Sequence, residues 1–532
     1  MNLKNLLISA IAGATASMAW IPVLPAPLIF ISFILWIHIY LTHSESREFH
    51  TSLFINISAG FLIYNIISLA WIGRVTVTGA VMVMIVNSFM AGMVFWTASL
   101  IHRRTSRLTG LISLGALWLT YEKFTMSVPF FTPWLNPGNV FGHSPRLVQW
   151  YEFTGAGGGS LWILAVAATA VVAIASYRNN KRVVSGYFIT SAGLLVMPVI
   201  ISLIIYYSYK ENENDTAEIV IVQPSIDPYM EKFTGTPFYS QLRMMKEMAA
   251  GAATGRTDWI ILPETAIDDP FYEAEASGNQ YIELLSELFD SFPDASVMTG
   301  ATTMVSFPEK SDGTHRSAGI KRDGDYWYEV YNSAVALHKD KNPGFYHKSK
   351  LIPGIEMSIN WLPGRLERIL PDLGGTGSGY GIQRERRVFT NPVTGTVIAP
   401  VICYESLFGE FVGRYVANGA DIITIITNDG WWGNSQGYRQ HLGFASLRAI
   451  ETRRAVARAA NTGISALINQ RGDITVQTGW WERDTLRGSL SKGTSTTLYV
   501  IHGNYLYRLA LIYTIIISIL TFIASPIRKL RR

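Results

Sequence analysis

Cysteine and charge are both scarce in this chain of 532 residues. Cys403 is the only cysteine, so no disulfide can form within the chain. Charged residues make up 16% of the sequence and hydrophobic residues 49%, whereas charged residues make up about 25% of ordinary soluble domains. This balance excludes an ordinary soluble domain as the whole protein, and it predicts a membrane protein.

Cofactor motifs are missing as well. The ten histidines include no HxxxH or HExxH pair, so we expect no metal site. The glycine-rich segment 373–381, LGGTGSGYG, lacks the spacing of a dinucleotide-binding loop, and we interpret it as a flexible loop. The net charge of +5 comes mainly from basic residues beside apolar segments, so it does not indicate nucleic-acid binding. We therefore expect no cofactor, no metal and no nucleic-acid partner.

Long apolar segments dominate residues 1–208 and return near the C-terminus. Several reach the roughly 20 residues that a spanning helix needs, and those starting at Leu6 and Leu108 are shorter. We count seven helices, a polar block and an eighth helix, which predicts domains at 1–208, 209–505 and 506–532. No predicted span has an obvious charged residue in its middle, which weakens a transport function and favours a helical platform.

Basic residues between the apolar segments predict their orientation, because cytoplasmic loops are enriched in Lys and Arg. With the N-terminus inside, only Arg74, Lys123 and Arg146 fall on outer loops. Twelve basic residues then fall on the cytoplasmic side: Lys4, Arg47, Arg103, Arg104, Arg107, Arg178, Lys181, Arg182, Arg528, Lys529, Arg531 and Arg532. This bias predicts both termini in the cytoplasm and the polar block outside it.

The polar block has the pattern of an α/β domain. Short β-rich runs such as EIVIVQP, WIILPET, TVIAPVICYE and DIITIIT alternate with helical stretches. The predicted helices are 236–254, 279–292 and 438–461. Near-continuous apolar strands that alternate with helices are typical of sheets buried under helices.

Three chemically capable residues directly follow apolar or aromatic runs of this block. Glu264 follows WIILP, Lys348 follows a β-like stretch, and Cys403 follows VIAPVI. Each is therefore expected at the rim of a buried sheet, where open α/β sheets hold their binding crevices. A thiol nucleophile, a carboxylate base and an ammonium that stabilises an oxyanion form a coherent catalytic set. On position alone, Cys403 is equally well interpreted as an inert strand residue.

The segments LPET, YHKSKLIPGIE and ICYES together resemble the Glu-Lys-Cys motifs of the nitrilase (carbon-nitrogen hydrolase) superfamily. With the segment 428–473 and the flanking helices, the chain resembles the apolipoprotein N-acyltransferase family over essentially its whole length. The resemblance implies a membrane helical bundle of about eight transmembrane helices that carries an α/β domain, an αββα sandwich. It also implies Glu264 as the general base, Lys348 as the oxyanion-stabilising lysine and Cys403 as the nucleophile.

Three supporting residues are carried over from the same resemblance. Glu356 matches a second glutamate after the family lysine, and Tyr404 and Glu405 match the residues after the family cysteine. Lys348 is chosen over Lys350 because it stands three residues before Leu-Ile-Pro. The chain has Pro-Gly-Ile-Glu at 353–356 where the family usually has Pro-Phe-Gly-Glu, so a purely structural ion-pair role for Glu356 stays open.

The resemblance implies a two-step acyl transfer at a bacterial cytoplasmic membrane, with the catalytic domain on the periplasmic side. The implied partners are a phospholipid acyl donor, a diacylglyceryl-modified apolipoprotein and the lipid bilayer. The acyl chain would pass through a thioester on Cys403 to the α-amine of the lipoprotein's N-terminal cysteine. A membrane-anchored amidase and an inactive scaffold are the alternatives. The segment 358–373 is either a mobile lid on the bilayer or a surface helix.

Overall fold

The chain forms two compact units in the computed structural model. The residues described are 3–46, 50–128, 131–176, 181–230, 237–307, 321–323, 326–353, 355–357 and 379–524. One unit consists of the helices of the first 208 residues and the C-terminal helix. The other consists of Tyr209–Ile501 together with the short segment Arg74–Thr78.

The helical unit has a helix at each of the eight apolar segments. These are α1 (Leu3–Met18), α2 (Leu28–Glu45), α3 (His50–Leu69), α4 (Val77–Arg104), α5 (Arg107–Ser127), α7 (Ala156–Ser176), α8 (Lys181–Ser208) and the C-terminal helix (Tyr505–Ser518), with the short α6 (Tyr151–Thr154) before α7. Among the described residues, six helices are long and apolar enough to cross a membrane. Because α1 is shorter and α5 is not among those six, the count of eight spans stays a prediction.

A buried carboxylate lies in α5 just past the end of its predicted apolar segment, so it leaves the expectation of no charged residue in the middle of a span unchanged. The apolar run of α5 stops at Tyr121, but the helix continues, and Glu122 in its last turns is fully buried. Its Oε1 accepts a hydrogen bond from Trp118 Nε1 at 2.8 Å, and its Oε2 accepts one from Tyr507 OH on the C-terminal helix at 2.8 Å. These donors satisfy a group that would otherwise be costly to bury, and they join the C-terminal helix to α5.

The second unit contains two β-sheets. The strands of the first are β1 (Thr216–Gln223), β2 (Thr257–Ile261), β3 (Ile267–Tyr272), β4 (Ser296–Phe307), β5 (Lys321–Asp323), β6 (Tyr326–Leu337), β7 (Gly344–His347) and β14 (Asp484–Ser491). They run in the order β14-β1-β2-β4-β6-β5, with β3 paired to β4 and β7 paired to β6. The strands of the second are β8 (Phe389–Thr390), β9 (Val397–Ile402), β10 (Ile422–Thr427), β11 (Ala455–Ala460), β12 (Ala466–Ile468) and β13 (Ile474–Gln477), in the order β13-β12-β11-β10-β9-β8.

The two sheets pack face to face, and helices cover their outer faces. Trp259 of β2 is fully buried, and its Nε1 donates to the carbonyl of Thr396 beside the second sheet at 3.2 Å. The helices are α9 (Phe238–Ala252), α10 (Gln280–Ser286), α11 (Leu288–Ser291), α12 (Gly409–Ala417), α13 (Gln436–Thr452) and α14 (Leu498–His502). The apolar side chains of α9 and α10 form one core with β1 and β2, while α12 and α13 lie on the second sheet. The predicted αββα sandwich is confirmed.

One predicted helix was too long. The stretch 438–461 was expected to be helical throughout, but α13 ends at Thr452, and Ala455–Ala460 forms β11, parallel to β10. Arg453, with φ of 50°, takes the left-handed conformation that ends the helix. Every residue of β11 is buried between its neighbouring strands. This burial overrides the helix propensity of an Ala- and Arg-rich sequence.

Tyr507→Phe tests the link between α5 and the C-terminal helix. Removing the hydroxyl leaves buried Glu122 with one donor fewer, which we expect to destabilise the helical unit by about 1–3 kcal/mol. Tyr513→Phe is the matched control on the same helix, because its hydroxyl makes only a 3.3 Å contact with Ser113 Oγ. Thermal unfolding of the detergent-solubilised protein measures both. Equal stability of Y507F and Y513F would contradict the link.

Candidate active site

The three residues expected at strand ends all lie within three residues of the end of a strand. Glu264 follows β2 by three residues, Lys348 follows β7 at once, and Cys403 follows β9 at once. Their exposed fractions are 7%, 0% and 5%. Cys403 also has φ of 51°, in the left-handed region, which costs a non-glycine residue about 1–2 kcal/mol. Strain of this kind at a buried thiol is a feature of functional sites.

Lys348 lies at the centre of a buried polar cluster. Its Nζ donates to Glu264 Oε1 at 3.0 Å and to Glu356 Oε1 at 2.7 Å. Asn332 Nδ2 donates to the same two oxygens, at 2.8 Å and 3.1 Å. Two carboxylates therefore share one ammonium and one amide. Burial alone would lower the pKa of Lys348, but Glu264 and Glu356 raise it well above its ordinary value, so the ammonium stays charged.

Glu356 joins this cluster although its local sequence departs from the family pattern. Its second oxygen, Oε2, accepts from the backbone N–H of Ile352 at 2.8 Å, which fixes the carboxylate from the other side. The backbone N–H of Lys348 donates to the carbonyl of Asn332 at 2.8 Å, which holds the lysine loop on β6. The altered residues at 353–355 have therefore not moved the Glu356 carboxylate away from the lysine.

The thiol of Cys403 is neutral in the resting site. Burial raises its pKa well above the ordinary value, Glu264 raises it further, and Lys348 opposes these effects without overcoming them. A neutral thiol is a weak nucleophile. A group that accepts its proton during the reaction is therefore needed, and Glu264 is the carboxylate with the largest electrostatic effect on this thiol.

Glu405 braces the cysteine turn against the lysine loop. Its Oε2 accepts from the backbone N–H of Ile402 at 2.9 Å, one residue before the cysteine. Its Oε1 accepts from the backbone N–H of Ser349 at 2.6 Å and from Tyr346 OH at 2.7 Å. Burial raises the pKa of Glu405, and the two backbone donors oppose that rise. One carboxylate thus connects a loop of each sheet.

The remaining sequence predictions concern Tyr404, Lys350 and the segment 358–373. Tyr404 is buried in the 3-10 turn Cys403–Leu407, with its ring 5.3 Å from that of Phe408. Lys350 is not in the lysine cluster; its ammonium lies 4.8 Å over the Phe408 ring, which favours Lys348 as the functional lysine. The segment 358–373, predicted as either a lid or a surface helix, lies outside the described residues.

Asn332 is the member of the cluster that sequence reasoning did not select. Its segment, YNSA, reads as an ordinary piece of strand, and the residue lies on β6 with an exposed fraction of 3%. Its role depends on β6 running beside β4, which brings it to the loop of Glu264. An asparagine inside an apolar run is the only local signal.

Two family models match the chain, one on each unit. Residues 221–498 match the carbon-nitrogen hydrolase family, and residues 12–169 match the apolipoprotein N-acyltransferase N-terminal domain. Among curated relatives, the apolipoprotein N-acyltransferase of Chlorobaculum tepidum is 28% identical over 449 residues, covering 83% of this chain and 82% of the relative. That of Vibrio parahaemolyticus is 24% identical over 526 residues, covering 95% of this chain and 94% of the relative.

Similar solved structures include members of the nitrilase superfamily. Saccharomyces cerevisiae Nit3 aligns with 14% identity and a TM-score of 0.36, covering 52% of this chain and 90% of that chain. An amidase from Nesterenkonia sp. aligns with 14% identity and a TM-score of 0.36, covering 57% of this chain and 99% of that chain.

Gly300→Ala tests how closely the loop that carries Glu264 packs on β4. A Cβ at Gly300 would lie 2.4 Å from the backbone N of Thr265 and 2.6 Å from Cα of Glu264. Backbone cannot yield cheaply, so we expect G300A to cost about 1–3 kcal/mol of stability. Gly344→Ala is the matched control on β7, since its new Cβ would meet nothing closer than 3.6 Å. Thermal unfolding should separate the two variants, and a G300A as stable as G344A would contradict the close packing.

The neutral thiol predicts a pH dependence of stability. The folded-state pKa of Cys403 lies above its unfolded value of about 8.5, so unfolding releases a proton above that pH. The contribution is fully present below about pH 8.5 and is lost as the pH rises towards the folded pKa. Cys403→Ser removes it. Between about pH 8.5 and pH 10, wild type should lose about 1 kcal/mol per pH unit relative to C403S. Parallel unfolding curves across this range would contradict a raised thiol pKa.

Proposed function

The chain belongs to the carbon-nitrogen hydrolase family, and from this membership we propose that it is an apolipoprotein N-acyltransferase of the bacterial cytoplasmic membrane. One observation carries the proposal. A single chain joins the carbon-nitrogen hydrolase match at 221–498 to the N-terminal domain match of that acyltransferase at 12–169. Curated relatives with this name align with both regions, and six helices among the described residues are long and apolar enough to cross a membrane.

The first half-reaction loads the acyl chain onto the enzyme. Glu264 accepts the proton of the Cys403 thiol as the sulfur attacks the ester carbonyl of a membrane phospholipid. The ammonium of Lys348, with the backbone N–H of Tyr404, stabilises the tetrahedral oxyanion; one such donor contributes roughly 3–4 kcal/mol. Collapse of this intermediate breaks the C–O bond. Glu264 returns its proton to the departing lysophospholipid oxygen, and a thioester remains on Cys403.

The second half-reaction delivers the acyl chain. The acceptor is the free α-amine of a diacylglyceryl-modified cysteine at the N-terminus of an apolipoprotein. The amine attacks the thioester carbonyl, a C–N bond forms and the C–S bond breaks. Glu264 accepts a proton from the nitrogen and passes it to the leaving thiolate, which restores the neutral Cys403. Glu356 and Asn332 hold Lys348 and Glu264 in register throughout, and Glu405 holds the cysteine turn.

The location follows from the charge distribution and the substrates. We place the catalytic domain, residues 209–505, on the periplasmic side and both termini in the cytoplasm, as the excess of cytoplasmic Lys and Arg predicts. Both substrates carry long acyl chains, and each buried methylene contributes about 0.8 kcal/mol to their membrane residence. A helical platform at the same bilayer therefore lets both reach Cys403 without leaving the lipid.

A covalent acyl-enzyme is the decisive expectation. Wild type incubated with a phospholipid carrying a labelled acyl chain should gain one acyl mass, which neutral hydroxylamine removes. Cys403→Ala should gain none, because the chain has no other thiol. Intact-mass spectrometry measures both. A hydroxylamine-sensitive acyl mass on C403A would overturn the assignment, and release of ammonia from small amides without transfer to a lipopeptide amine would identify an amidase instead.

Glu264→Gln tests whether Glu264 acts as the base or serves only as a buried structural residue. The amide keeps the size of the side chain but accepts no proton, so the rate of acyl-enzyme formation should fall by about 10²–10⁴. Glu329→Gln is the matched control, since Glu329 is buried on β6 and bonded to Tyr331 OH, not to Lys348. An E264Q variant that acylates as fast as E329Q would contradict the role of Glu264 as base.

A further inference from the structure

A second buried polar network contacts Cys403 through hydrogen bonds other than those of the Lys348 cluster. It consists of Thr427, Asp429, His441 and Arg458, together with Ser406, and all five residues have exposed fractions of 1% or less. None of them takes part in the acyl-transfer steps described above. Buried polar groups of this kind are costly unless each is hydrogen-bonded, so the network calls for a role.

The carbonyl of Cys403 is the point where this network contacts the nucleophile. Ser406 Oγ donates to it at 2.7 Å, and His441 Nε2 lies 3.2 Å from it. His441 Nε2 also lies 3.0 Å from Ser406 Oγ, whose proton is already directed to the carbonyl. A carbonyl oxygen accepts and never donates, so we assign the proton of this contact to Nε2 of His441, which donates to the carbonyl.

The other side of the imidazole is held by an ion pair. His441 Nδ1 lies 3.0 Å from Asp429 Oδ1 and 3.0 Å from Arg458 Nη2. Arg458 Nη2 in turn donates to Asp429 Oδ2 at 2.5 Å. Burial alone would raise the pKa of Asp429, but Arg458 and His441 outweigh burial and hold that pKa far below its ordinary range. The carboxylate is therefore a permanent anion that fixes the orientation of the ring.

Thr427 extends the network to the thiol. Its Oγ1 donates to Asp429 Oδ1 at 2.8 Å. The Thr427 side chain also interacts with the side chain of Cys403. The same Asp429 carboxylate thus supports both the backbone of Cys403, through His441, and its side chain, through Thr427.

From these contacts we infer that His441 is a positioning residue, which holds Cys403 in its left-handed conformation through the Cys403 carbonyl so that the sulfur faces Glu264 and Lys348. The φ of 51° is unfavourable for a cysteine and needs support from its surroundings. Two donors on one carbonyl supply that support. The network is local and continuous, running from α13, which carries His441, through β10 and β11 to the turn after β9.

His441→Leu is the direct test, and the inference rests on the proposed function for its first readout. Losing one donor releases the strained turn, so acyl-enzyme formation from phospholipid should slow by about 10- to 100-fold, with KM unchanged because no substrate contact is lost. His441→Gln retains an N–H donor and should recover to within about 3-fold of wild type. Acylation by H441L at the wild-type rate would overturn the inference, as would an H441Q no faster than H441L.

His338→Leu is the matched control. His338 is another partly buried histidine of the same unit, with Nδ1 2.7 Å from Ser296 Oγ, and its ring packs on Trp259 away from Cys403. H338L should lose stability but acylate at the wild-type rate. If H441L does not fold, the Ser406→Ala variant tests the inference instead. It removes the other donor and should slow acylation by about 10-fold with KM unchanged, whereas a wild-type rate in S406A would overturn the inference.

A second readout needs no acyl donor, so it separates failure of this inference from failure of the proposed function. Because Cys403 is the only cysteine, iodoacetamide labels one site. Glu264, Lys348, Asp429 and Thr427 all affect the pKa of this thiol. In H441L the sulfur leaves this environment, so the pH midpoint of labelling should move down towards the free-thiol value of about 8.5. H441Q and H338L should keep the wild-type midpoint, and an unmoved midpoint in a folded H441L would overturn the inference.

Discussion

The buried ammonium of Lys348 is the interaction on which the rest of the active site depends. A fully buried positive charge is tolerated only when it is paired and hydrogen-bonded, and here Glu264 and Glu356 both approach it within 3.0 Å. Each glutamate belongs to a different loop. The two loops must therefore pack together around the ammonium. If either carboxylate were absent, part of the positive charge of Lys348 would be buried without a counter-charge. Asn332 then completes the closed set by donating to both carboxylates.

The nucleophile reaches this cluster from the other sheet. Cys403 stands at the end of β9 in the second sheet, whereas Glu264 and Lys348 follow strands of the first. Their spacing is consequently set by the packing of the two sheets, and Glu405 fixes it locally by accepting from Ile402 N and Ser349 N together. Large buried side chains such as Trp259 fill the space between the two sheets, and this close packing keeps the spacing of the sheets constant. The packing of the core therefore also determines the geometry of the site.

Much of this was predictable from sequence, for identifiable reasons. The strands before Glu264 and Cys403 are continuous apolar runs, so their ends and the polar residues beyond them stand out. The α/β class followed from the same runs. The helical prediction at 438–461 extended too far because β11 consists mostly of alanine, with Val456 and Arg458, and its burial between β10 and β12 makes it a strand. Glu122 was missed because α5 continues past its apolar run.

Residues whose roles come from tertiary contacts leave little local signal in the sequence. Asn332 and His441 are polar residues inside a strand and a helix, and their contacts depend on which atoms the fold brings beside them. Glu356 shows the converse, because its local motif is altered while its contact with Lys348 is intact. The sequence motifs predicted the candidate catalytic residues, whereas the residues that support them could be identified only from the three-dimensional structure.

The charge balance of the site explains why its thiol rests in the neutral form. Lys348 supplies one positive charge and already faces two carboxylates, so the cluster has no surplus positive charge for a standing thiolate, and the pKa of Cys403 is raised accordingly. A neutral buried thiol resists oxidation, which suits a cysteine with no partner in the chain. In the mechanism proposed above, its proton leaves towards Glu264 as sulfur attacks, and the new negative charge passes to an oxygen beside Lys348. Reactivity is thereby coupled to the presence of a carbonyl substrate rather than stored in the resting enzyme.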